Sequence, residues 1–173
     1  MSDFARLLHA DGPNAEHARA LNLYGRFVGD WDAEITVHAP DGTAHRAAGE
    51  IHFGWVLEGR AVQDVWMIPR PAGAPPFPIA GNWYGTTLRV YDPTIDAWRI
   101  YWMDPGRSVF RQQIGRAKGE DIVQEGTTES GDLSRWSFTR ITQNSFHWLG
   151  EAKAAAAPDW RLMVDVKATR RAV

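Results

Sequence analysis

The stretch Gly29-Asp-Trp-Asp-Ala-Glu-Ile-Thr-Val-His38 decides the fold. Within it Trp31, Ala33, Ile35 and Val37 alternate with Asp32, Glu34, Thr36 and His38, the period of two expected of a half-buried strand. Upstream the period is different. Leu7, Leu8, Ala18, Leu21, Tyr24, Phe27 and Val28 recur at spacings of three and four, one face of helix. Asp11-Gly-Pro-Asn14 interrupts that helical run, and Asn14 is placed to cap a second helix. Gly29 stops it. The predicted organisation is a helical segment over residues 1–30 followed by one β domain over residues 31–173.

Downstream of His38 the chain reads as short strands separated by turn residues at roughly 8–12-residue spacing, the pattern of a sandwich or barrel. Strands are expected at about 44–57, 60–68, 82–91, 97–103, 108–117, 121–128, 134–142, 145–154 and 160–171. Pro40-Asp-Gly42, Glu58-Gly59, Asp92–Asp96 and Asp104-Pro-Gly-Arg107 are among the turns between them. Pro69 to Gly81 is a Pro/Ala/Gly loop long enough to suggest a lid or a ligand rim. No connection after residue 30 is long enough for a parallel crossover. About ten antiparallel strands in an open sheet would leave two exposed edges, and closure removes them. The fold class is therefore all-β, an up-and-down barrel behind a helical N-terminus. Ten strands make a barrel wider than eight, whose interior side chains nearly fill, so a cavity is expected.

Composition narrows the function. The chain has 173 residues, 19 Lys+Arg against 21 Asp+Glu, no Cys and nine Trp. A net charge of −2 removes the basic footprint of most nucleic-acid binders, so no nucleic-acid partner is expected. Without cysteine there are no disulfides, thiol nucleophiles or thiolate metal sites. No leader or spanning run is visible, and a cytoplasmic protein with no membrane span is expected. The tryptophans are in excess, since each removes roughly 150–250 Å² from water when buried.

Hairpin arithmetic assigns faces. Across Glu58-Gly59, the apolar face of Ile51, Phe53, Trp55 and Leu57 meets Arg60, Val62, Asp64 and Trp66, which puts Asp64 among hydrophobic residues. Across Asp92–Asp96, Val90 is expected opposite Trp98, Leu88 opposite Ile100 and Thr86 opposite Trp102, with Tyr84 on the same inward face and Thr87 and Arg89 outward. A four-residue turn at 104–107 sets Trp102 against Val109 and points Arg111 inward. Arg140 shares parity with Trp136 and Phe138. A carboxylate at Asp64 needs a partner, and Arg111 and Arg140 are the candidates; a structural ion pair or a charge at the barrel mouth is the plainer alternative.

The catalytic motifs tested are missing. There is no His-Glu-x-x-His, Gly-x-Ser-x-Gly, P-loop or dinucleotide fingerprint, and the six histidines fall at no helical ligand spacing. No metal site is expected.

Gly29-Asp-Trp31, at the junction of helix and first strand, resembles the Gly-x-Trp signature of lipocalins and other calycins. That resemblance implies that Trp31 plugs one barrel end, with Arg170 or Arg171 packed over it. Phe53-Gly-Trp-Val-Leu-Glu-Gly59, Gln63-Asp-Val-Trp66, Gly85-Thr-Thr-Leu-Arg-Val-Tyr-Asp-Pro93, Trp98-Arg-Ile-Tyr-Trp102, Arg135-Trp-Ser-Phe138 and Phe146-His-Trp148 further resemble a bacterial family of uncharacterised calycin-like proteins. Relatives carry an Asp-Gly-Gly turn before the last Trp strand, where this chain has Ala154-Ala-Ala-Ala-Pro-Asp159. Haem-binding calycin relatives carry a glycine-rich first-strand motif that Trp31-Asp-Ala-Glu-Ile35 lacks, so no cofactor is expected.

Two readings follow. The first is a barrel that binds a small hydrophobic or aromatic molecule, with Trp55, Trp66, Tyr84, Trp102 and Trp148 as walls and Asp64, Arg111 and Arg140 as polar anchors. The second is a small barrel enzyme, an isomerase, cyclase or hydrolase with Asp64 or Glu151 as base. A protein-interaction module with a filled core is a third, and the sequence leaves a homodimer open.

Overall fold

A computed structural model describes residues 2–68 and 82–172. The alternating stretch forms strand β2 (Gly29–His38), with Trp31, Ala33, Ile35 and Val37 buried as the period of two requires. Nine further strands follow: β3 (Ala44–Val56), β4 (Ala61–Ile68), β5 (Trp83–Asp92), β6 (Ala97–Asp104), β7 (Val109–Lys118), β8 (Asp121–Thr127), β9 (Leu133–Thr139), β10 (Ser145–Lys153) and β11 (Arg161–Arg170). Each pairs antiparallel with the next in sequence, and β11 pairs back onto β2 through Val166 opposite Ile35 and Arg170 opposite Trp31. The ten strands close into the up-and-down barrel expected, and closure leaves none of them as a free edge.

The N-terminal segment is less helical than its periodicity suggests. Helix α1 (Asp3–Leu8) ends where a two-residue strand, β1 (His9–Ala10), pairs with Val56 and Trp55 at the end of β3. Asn14 then caps a short 3₁₀ turn by accepting from the backbone N–H of Glu16 at 3.0 Å. Helix α2 (Ala18–Gly25) follows and buries Leu21 and Tyr24. The predicted loop Pro69–Gly81 lies outside the described residues. Among the described residues, no helix is long and apolar enough to cross a membrane.

Residues from α2 and the turn after it close one end of the barrel. Phe27 sits inside against Phe53, Phe138 and Phe146, with ring centroids 5.6, 4.7 and 5.0 Å away. Trp31 is fully buried beside it and donates its indole N–H to the Phe27 carbonyl at 2.7 Å. The Arg170 guanidinium lies 4.1 Å from the Trp31 ring centroid. It also donates to the carbonyls of Val28, Arg26 and Gln143, which fixes the carbonyls leaving α2 to the last strand. The plug implied by the Gly-x-Trp resemblance is therefore Trp31 under Arg170. Arg171 turns instead to Asp32 and Glu50.

Candidate functional site

Register decides what faces the interior. Across β3 and β4, Ile51 opposes Trp66, Phe53 opposes Asp64 and Trp55 opposes Val62, as hairpin counting predicts. Leu57 and Arg60 depart from it. Both fall in the turn, where Leu57 and Glu58 take positive φ.

The β5–β6 hairpin corrects the expected faces. Its loop holds four residues, with Asp96 in the left-handed region at φ 44° and Asp92 paired directly with Ala97. Asp92 accepts from Thr94 N at 2.9 Å and fixes the turn. Trp98 consequently opposes Tyr91, and Trp102 opposes Thr87 rather than Thr86. This one-residue slip reverses β5. Trp83, Gly85, Thr87 and Arg89 face in, while Tyr84 points out and is 67% exposed.

The reversal puts the partner of Asp64 on the adjacent strand. Asp64 and Arg89 are each 1% exposed and form an ion pair inside the barrel. Asp64 also accepts from the Thr87 backbone N–H at 2.8 Å. The Arg89 guanidinium lies over Tyr24, Phe53 and Phe138 at 5.2–5.6 Å from their centroids. Its Nε donates to Gln124 Oε1 at 3.4 Å, which also accepts the Tyr24 hydroxyl at 3.2 Å. Neither expected partner is used. Arg111 pairs with Glu129. Arg140 lies just beyond the end of β9 with φ 48° and is exposed, because the turn into β10 takes it off the inward face.

Burial raises the Tyr24 phenol well above its ordinary value; Arg89 opposes this and Asp64 adds to it. The sign follows from linkage. A folded value above the unfolded one, about 10, favours the fold at lower pH and loses that stabilisation as the unfolded chain ionises. Stability should fall above pH about 10, and Tyr24 should ionise only as the barrel opens. Alkaline titration followed by phenolate absorbance and circular dichroism together would test this. Full ionisation of all four tyrosines with native dichroism would refute it.

Above the Asp64–Arg89 layer, toward the end opposite Trp31, the barrel holds a cavity of about 310 Å³. Four tryptophans from four strands ring it. Trp66 touches Trp102 and Trp148 at 6.5 and 5.3 Å between centroids, and Trp136 touches the same two at 6.3 and 5.5 Å. The contacts are edge-on or tilted, as the ring quadrupoles favour. Glycine makes room for two of them. A Cβ at Gly85 would meet Trp102 at 2.5 Å, and one at Gly150 would meet Trp148 at 2.8 Å. Val37, Met163 and Val164 complete the apolar wall, and Thr87 and Arg89 form the floor.

At the mouth, Arg107 stacks over Trp83 at 4.8 Å and pairs with the buried Asp104 at 3.4 Å. Burial lowers the guanidinium values of Arg107 and Arg111, and the like charge of Arg107 lowers Arg111 further. Among the described residues, no hydrogen-bond partner meets the buried indole nitrogens of Trp66 and Trp83 or His38 Nε2, and all three residues line the cavity.

Of the eight residues expected around a ligand, Trp66, Trp102, Trp148 and Arg111 line the cavity, and Asp64 anchors its floor. Trp55 is buried at the plugged end, where a Cβ on Gly25 of α2 would strike it at 2.3 Å. Tyr84 and Arg140 are outside. Counting across a hairpin missed Trp83, Arg89 and Arg107. The glycine opposite Trp66 was a usable signal, because an inward glycine leaves room for a large neighbour. The other candidate base, Glu151, is held by Arg135 through two bonds of 2.8 and 2.9 Å. Among the described residues, no three metal-ligating side chains cluster.

No family model matches the chain, and no curated protein matches it. Solved structures do. Rv2717c from M. tuberculosis superposes with a TM-score of 0.64 at 14% identity, over 90% of this chain and 99% of that one. The shared fold is a ten-stranded up-and-down barrel. The S-type phycobiliprotein lyase CpeS from Guillardia theta shares it, with a TM-score of 0.61 at 8% identity over 93% of this chain and 99% of that one. Both likenesses concern the barrel.

Proposed function

We propose that this protein binds a small, flat, largely apolar molecule inside its barrel. The observation that carries the proposal is the closed ring of Trp66, Trp102, Trp136 and Trp148 around a cavity of about 310 Å³. Filled cores place aromatic rings against one another without leaving space between them, whereas ligand pockets pair apolar walls with a few polar groups. Pockets generally run from about 300 to 1,000 Å³, so this one suits a compact ring system. That a phycobiliprotein lyase is built on the same barrel supports a ligand-binding interior. Both carboxylates considered as bases are committed to arginines, which favours binding over acid–base catalysis.

Because four indoles border the cavity, an aromatic ligand should quench intrinsic fluorescence. Titration with a panel of bicyclic and tricyclic compounds should give saturable quenching at micromolar concentrations for some members, about −8 kcal/mol of binding. Unchanged fluorescence across the panel, with no small molecule retained in native mass spectrometry, would overturn the reading.

A further inference from the structure

Resting on that binding reading, we infer that the ligand is an aromatic acid held in one orientation, its ring system among the four tryptophans and its carboxylate at the mouth between Arg107 and Arg111. The charges inside the barrel are laid out for this polarity. The deep cation, Arg89, is already matched by Asp64 and shut under the cavity, so it has no charge to offer an anion. At the mouth, Arg107 is paired with the buried Asp104, whereas the counter-ion of Arg111, Glu129, stands in solvent. Arg107 and Arg111 both line the cavity and lie near enough for one to disfavour the charge of the other.

Arg111 is also the more readily re-paired of the two. Its side chain is 18% exposed, while its counter-ion Glu129 stands 54% exposed in the turn between β8 and β9. Glu129 is the exposed partner and also accepts from the Phe110 backbone N–H at 3.0 Å, so a ligand carboxylate that takes its place at Arg111 leaves it one bond and open water. A guanidinium accepts a planar carboxylate through two parallel N–H donors. The cavity is otherwise short of acceptors, since Asp104 is taken by Arg107 and Glu151 by Arg135. Its unpartnered buried polar atoms, among the described residues, are His38 Nε2 and two indole nitrogens. The indole N–H groups of Trp66 and Trp83 meet no acceptor among the described residues, and Trp83 carries Arg107 on its face. A ligand bringing oxygen atoms to the mouth supplies acceptors to the cations there.

The test compares 2-naphthoate with its neutral methyl ester by tryptophan quenching, using the whole chain and two variants. The wild type should bind the acid about tenfold more tightly than the ester, the effect of a charge-assisted hydrogen-bonded pair. Arg111→Gln should cut that preference to about threefold or less, Arg107 alone remaining, and leave the ester within about twofold of its wild-type affinity. Glu129→Gln removes the competing carboxylate and should tighten acid binding severalfold without moving the ester. Equal binding of acid and ester by the wild type, or a preference undiminished in Arg111→Gln, would overturn the orientation and leave ligand binding standing. If neither compound binds, the orientation is overturned as well. The wider fluorescence panel then decides whether the binding reading falls with it.

Discussion

Asp64→Asn should lower the free energy of unfolding by about 3–5 kcal/mol, the usual cost of removing one partner from a buried ion pair. Asparagine keeps the shape and can still accept from the Thr87 backbone N–H, so what is lost is the charge facing Arg89. The guanidinium would remain 1% exposed among Tyr24, Phe53 and Phe138. Ring faces attract a cation but do not replace its hydration, worth several kcal/mol per ion. Replacing both partners with apolar residues of similar size, Asp64→Leu with Arg89→Met, should recover most of the loss, because that pair leaves no uncompensated charge. Guanidinium-chloride unfolding of the single and double variants measures both effects. A single-variant loss below about 1 kcal/mol would show that the interior does not depend on this pair. The single variant should also weaken ligand binding, since Thr87 and Arg89 floor the cavity.

That pair also shows where the sequence is legible and where it is not. The β3–β4 register could be counted from a tight turn and a clean apolar face, and it put Asp64 inside correctly. The partner of Asp64 could not be reached the same way. β4 and β5 are separated by residues 69–82, which no turn rule spans, and the β5–β6 loop depends on Asp96 taking a left-handed conformation. The apolar pattern of β5 itself pointed the wrong way. Tyr84, Leu88 and Val90 look like an inward face, yet the barrel turns Trp83, Gly85, Thr87 and Arg89 inward. Strand patterning assumes that charge faces water, and it fails where a charge is matched inside. The β6–β7 hairpin shows the complementary case. Its register differs from the count by two residues, pairing Trp102 with Arg111 instead of Val109. Parity survives a shift of two, so Arg111 still faces in.

The tryptophans divide the barrel into an end that holds it closed and an end that lines the cavity, and Trp31→Ala separates the two. Loss of about 3–5 kcal/mol is expected for truncating a fully buried tryptophan. Trp31 is 0% exposed and packs on Phe146 at 4.8 Å and Phe27 at 6.4 Å. Its indole N–H and the Arg170 guanidinium above it tie the exit of α2 to both ends of the barrel sheet, through Phe27, Val28 and Arg26. Alanine would leave a cavity there and remove the surface on which Arg170 stacks. Trp31→Phe keeps much of the volume and should cost clearly less than alanine, although the Phe27 carbonyl then loses its donor. Chemical denaturation ranks the two variants, and a Trp31→Ala loss no larger than about 0.5 kcal/mol, the range of a surface change, would refute the plug. The phenylalanine variant carries a second readout. Trp31 lies at the end of β2 away from the cavity, so removing its indole should leave ligand-induced quenching intact in a folded protein. Trp102→Phe, by contrast, takes one member out of the ring and should weaken both the affinity and the quench. If the two substitutions reduced quenching equally, the tryptophan ring would not be the ligand's wall.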